Sequence, residues 1–150
     1  MTGATEMVEL DRLARENWLS EVHESERRPY SELPLSTHGL LLQYDIERAF
    51  CAGAWLSVIV LVQSAIEATI RDIDSKDYET KAFQIFAGNN ELERIRAFRN
   101  EILHPLEPGS PSKVWTVSGG DVRACHASLE DDAKLAVQRM YIIIYRYRKA

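Results

Sequence analysis

At 150 residues the chain has the length of one domain, long enough to bury a core without a disulfide or metal staple. Apolar residues make up 45% and charged residues 27%, which excludes a chain disordered over most of its length. A net charge of −5 excludes a broadly cationic surface that coats nucleic acid, while leaving room for a local basic site. Cys51 and Cys125 lie far apart and without partners. They make neither a disulfide framework nor a zinc pattern, so a reducing, cytoplasmic setting is expected, with no metal and no cofactor. The acidic start, Met1 to Asp11, lacks the features of a signal peptide.

Residues 5–26 read as a first helix, because Met7, Leu10, Leu13, Trp18 and Val22 recur at about helical spacing with charges between them. Pro29 and Pro34 make Arg27 to Leu35 a loop. A second helix is expected from near Leu40 to Tyr44 through to about Asp74. Its middle, Ala49 to Ile66, carries no charge. The densest apolar part, Trp55 to Val62, is far shorter than the ~20 residues of a membrane span, so it reads as a core helix and no membrane partner is expected. Being apolar nearly all round, it needs cover on more than one side, which points to an oligomer interface.

Tyr78 to Phe86 reads as a short helix ended by Gly88-Asn89-Asn90. Asn90 then caps the next helix, with Glu91 and Glu93 complementing its positive end. That helix runs to about His104, where Pro105 stops it. From Pro105 to Ala124 the prolines and glycines predict a long loop, within which Lys113 to Val117 and Asp121 to Ala124 have the pattern of a small hairpin. Ser128 with Asp131 resembles a capping box. The last helix follows to about Lys149, lined by Leu135, Met140, Ile143 and Ile144. The expected fold is one all-α domain, a helical bundle of four to five helices with a long loop before the last.

The segment Arg94 to Pro105 gathers Arg94, Arg96, Arg99 and His104 toward the C-terminal end of one helix. Asn100 and His104 are four apart and share a face, with Arg96 four before Asn100. Arg99 lies roughly 140° round the helix from His104, within reach for a long guanidinium that curls toward the helix end. His104 sits where the helix stops and the loop opens.

Arg99-Asn100-x-x-x-His104 resembles the signature of the HEPN superfamily in its commonest form, with asparagine directly after arginine. The long apolar helix ending in Ala65-Ile66-Glu67 is similar as well, and the resemblance spans about residues 40–150. Composition alone produces about one Arg–His pair at the allowed spacings, whereas requiring the asparagine lowers the chance to about 0.03. The resemblance implies a small all-α bundle acting as a metal-independent endoribonuclease. Two chains would form a homodimer with both motifs facing one cleft. Such proteins act as toxins or in antiviral defence, restrained by an antitoxin or other regulatory protein.

The chemistry suits these residue types. A histidine near neutral pKa takes the proton from an RNA 2′-hydroxyl. An arginine neutralises the charge growing on the phosphoryl oxygens, with a fork geometry that lysine lacks. The expected products carry a 2′,3′-cyclic phosphate and a 5′-hydroxyl. His104 is expected to be the base or acid, Arg99 the phosphate clamp, and Asn100 the residue that orients His104 or binds phosphate. Arg96 and Glu67 complete the substrate-binding set, Arg96 toward a neighbouring phosphate and Glu67 orienting Arg99 or His104 from the facing helix.

One departure concerns regulation. Toxins of this kind that are controlled by a nucleotidyltransferase carry a tyrosine two residues after the histidine, and here that position is Leu106. Some HEPN domains are inactive and serve to dimerise or to bind a nucleotide or partner. Plainer readings stand beside these: cations complementing a helix dipole, Glu91 and Glu93 pairing with Arg94 and Arg96, and Glu67 pairing with Arg71. The tail Tyr145 to Lys149 reads as a helix end, and Trp18, Trp55 and Trp115 as core or interface residues.

Overall fold

The computed structural model describes residues 2–27, 37–73, 90–103 and 121–146. They form α1 (Thr2–Arg27), α2 (Thr37–Cys51), α3 (Trp55–Ile73), α4 (Asn90–Leu103), α5 (Val122–Ala127) and α6 (Glu130–Arg146). No strand occurs among the described residues, and the fold is an all-α helical bundle. The expected helix over Tyr78 to Phe86, the prolines of both loops, the strand Lys113 to Val117, Trp115 and the last residues of the tail lie outside the described residues.

α3 is the central element. It packs on α2, α4 and α6, while α1 lies across α2 and α6. Its buried residues Trp55, Val58, Ile59, Val62, Ala65 and Ile66 join Ile46 and Phe50 of α2 and Ala133, Val137, Met140, Tyr141 and Ile144 of α6. Part of the apolar surface of α3 is thus covered within the chain, while Leu56, Val60 and Leu61 stay half-buried. No described helix is long and apolar enough to cross a membrane.

The single long helix expected from about residue 40 to Asp74 is two helices. The break falls at Ala52-Gly53-Ala54. Gly53 has φ +72°, its N–H donates to the Phe50 carbonyl at 2.9 Å, and the Ala54 N–H donates to the Ala49 carbonyl at 2.8 Å. This pair of bonds ends a helix on a left-handed glycine. Only glycine takes that conformation without a Cβ penalty, and the Arg15 guanidinium sits 3.1 Å from where a Cβ would stand. Hydropathy runs unbroken across the turn, so periodicity does not register it.

α1 is helical as its spacing predicts, but the expected inner face divides. Met7, Leu10 and Leu13 are exposed. Leu19 is buried, with Trp18 and Val22 packed beside it. Residues 3–14 of this 26-residue helix are exposed, and burial among the described residues of α1 is confined to its second half.

Two local expectations near the last helix change. Asp121 to Ala124 starts a helix rather than a strand, because Asp121 Oδ1 accepts from the Ala124 N–H at 3.0 Å and caps α5. Ser128 does not cap α6. It ends α5, and its Oγ donates to the Cys125 carbonyl at 2.6 Å. Glu130, Asp131 and Asp132 supply the negative charge in the first turn of α6.

Candidate functional site

α4 carries most of the motif, and its docking explains which arginine turns inward. Ile95 is buried in the core cluster. Beside it Arg94 Nη2 meets Asp132 Oδ1 at 2.9 Å, tying α4 to α6. Arg94 thus answers a residue of another helix, while the Glu91 side chain lies outside the described residues. Arg99 lies four residues after Ile95, on the same helical stripe, and so faces α3.

Arg99 Nη2 donates to Glu67 Oε1 at 3.2 Å. The two side chains are 19% and 28% exposed, which places the pair between a surface ion pair and a buried one. Water screens it in part, so the pair contributes more than a fully exposed one and less than a buried one. The same Glu67 oxygen accepts from Gln63 Nε2, also at 3.2 Å. Gln63 stands one turn earlier on α3 and is fully buried. Arg99 Nε and Gln63 Oε1 find no hydrogen-bond partner among the described residues.

The fold therefore brings Glu67 of α3 to Arg99 of α4. Asn100 is half-buried beside Arg99, and Arg96 is exposed on the outer side of α4. His104 and Leu106 lie outside the described residues, as does the Arg71 side chain. Gln63 had one legible signal, its spacing of four from Glu67 on one helix face. Nothing in composition marks it as buried.

A second polar group sits where α1, α2 and α6 meet. His23 Nε2 lies 2.7 Å from the Tyr145 hydroxyl, and the His23 ring stacks on Tyr141 at 4.8 Å. Tyr141 Oη donates to Glu47 Oε1 at 2.9 Å, and Gln43 Nε2 donates to the same oxygen at 3.0 Å. Burial pushes the Tyr141 and Tyr145 hydroxyls up from their ordinary pKa and holds the His23 imidazole below its own. Tyr145 is a core residue. A cleft of about 590 Å³ between α1 and α2 is lined by Arg12, Glu16, Tyr44, Glu47, Arg48 and Cys51. It shares Glu47 with this group and nothing with Arg99.

The His23 shift sets a pH dependence. The unfolded imidazole takes up its proton near pH 6.5 and the folded one only at lower pH. The contribution of His23 is therefore fully present above about pH 6.5 and lost as pH falls through the folded value. Urea midpoints should fall between pH 7.5 and pH 5.5, and the fall should be smaller in His23→Gln. Equal slopes in the two proteins would remove His23 as the source.

No protein-family model, curated protein or solved structure matches this chain, so a functional reading rests on its own residues.

Proposed function

We propose that the chain is a metal-independent endoribonuclease of HEPN type, dimeric and cytoplasmic, held in check by an antitoxin or other regulatory protein. The observation that carries this reading is the Arg99–Glu67 pair at 3.2 Å, made between two helices directly before Asn100 in the motif. A guanidinium already oriented by a carboxylate stabilises growing phosphoryl charge without reorganising at the moment of reaction. In this mechanism His104 takes the proton of an RNA 2′-hydroxyl. The freed oxygen bonds to the adjacent phosphorus, the 5′-oxygen leaves and takes up a proton, and a 2′,3′-cyclic phosphate results. Arg99 neutralises the phosphoryl oxygens, Asn100 orients His104 or binds phosphate, and Arg96 binds a neighbouring phosphate.

The test is cleavage of mixed cellular RNA with EDTA present, followed by end-group analysis. The wild type should leave cyclic phosphate and 5′-hydroxyl ends, and His104→Ala should be slower by about 10²–10⁴-fold, as for loss of a general acid–base group. Equal background from both proteins would sink the ribonuclease reading and favour a module that dimerises or binds a partner.

A further inference from the structure

We infer that Gln63 is a positioning residue for Arg99, acting through Glu67. The role of Arg99 in phosphate binding rests on the reading above; the placement of its guanidinium does not.

Gln63 is fully buried on α3, among residues that are otherwise mostly apolar. Its Nε2 donates to Glu67 Oε1 at 3.2 Å, and the amide must point that way, since the reverse would set its oxygen against the carboxylate. That orientation leaves Oε1 buried with no partner among the described residues. An unpaired buried acceptor costs stability. A leucine of similar size would avoid that cost, so packing alone does not call for an amide at this position.

What the amide does is local. The Glu67 side chain is 28% exposed, and the last torsion of a glutamate is broad and weakly restricted. Left alone, the carboxylate turns toward water. Gln63 holds one oxygen from below while Arg99 Nη2 takes the same oxygen from α4, both at 3.2 Å. The guanidinium then has a fixed point of attachment. Gln63, being fully buried, touches no substrate.

The experiment uses the full chain, labelled with ¹⁵N, and follows solvent exchange of the Arg99 Nε proton, assigned by its disappearance in Arg99→Lys. In Gln63→Leu the exchange should quicken by about tenfold, while the urea midpoint stays level or rises. In a Glu67→Gln background the same substitution should add nothing, because the effect passes through that carboxylate. On RNA, kcat should fall about tenfold with KM nearly unchanged, as for loss of alignment and not of binding. Exchange unchanged by Gln63→Leu overturns the inference. So does faster exchange that comes with a lower urea midpoint, or an equal effect in the Glu67→Gln background. A wild type that cleaves no RNA removes the ribonuclease reading alone, and the exchange rates still decide the role of Gln63.

Discussion

Arg99→Ala is expected to slow RNA cleavage by about 10²–10³-fold at saturating substrate, the usual cost of removing one fixed donor from a developing oxyanion. Arg99→Lys should recover little of this, since an ammonium cannot both hold Glu67 and present a planar fork to phosphate. The fold should tolerate either change. Arg99 is 19% exposed and its partner Glu67 28%, so the orphaned carboxylate can turn to water, and the loss in stability should stay within about 1 kcal/mol. Single-turnover rates and urea melts on the same preparations separate the two effects. A decrease in rate below about tenfold with the fold intact would remove Arg99 from the chemistry.

Phe50→Ala is the substitution expected to cost the fold most. Phe50 is fully buried at the end of α2. Its ring stacks on Trp18 of α1 at 4.9 Å and meets the edge of Trp55 of α3 at 5.3 Å. One side chain thus joins three helices beside the Gly53 turn. Truncation removes the transfer energy of the ring and leaves a cavity that two indoles cannot close, a loss of about 3–5 kcal/mol. Against a total of about 5–15 kcal/mol, that should lower the urea midpoint by about 1–3 M at ordinary m-values. Phe50→Leu, which refills most of the space, should cost about 1 kcal/mol. A midpoint for Phe50→Ala within about 0.3 M of wild type would mean that the three helices are held by something else.

Particular residues explain which features could be read before the structure. The last helix was legible because Met140, Ile143 and Ile144 repeat at helical spacing, and all three are buried. The Gly53 break was not, because a turn between two apolar helices leaves hydropathy unchanged, and only the backbone bonds to Phe50 and Ala49 reveal it. Glu67 was legible as a residue facing Arg99. Its plain alternative, a pair with Arg71, is a local i,i+4 rule that does not know which helix lies opposite. The inward turn of Arg99 follows from Ile95, whose burial sets the rotation of α4. Arg94 also reaches Asp132 on another helix, a contact that no spacing along α4 contains.

Sequence by itself determined that this is an all-α chain, where most of its helices lie, and which segment gathers arginines, an asparagine and a histidine. Those features are local, set by backbone propensity and by apolar spacing along one helix. Only the tertiary structure decided that Gln63, Glu67 and Arg99 meet across α3 and α4, and that His23, Gln43, Glu47, Tyr141 and Tyr145 close a second polar group. Both groups join residues 32 or more positions apart in the chain as well as neighbours one turn apart. The pairing across helices depends on how each is rotated about its axis when its apolar stripe is buried. That rotation is a property of packing between helices, and no window along the chain contains it.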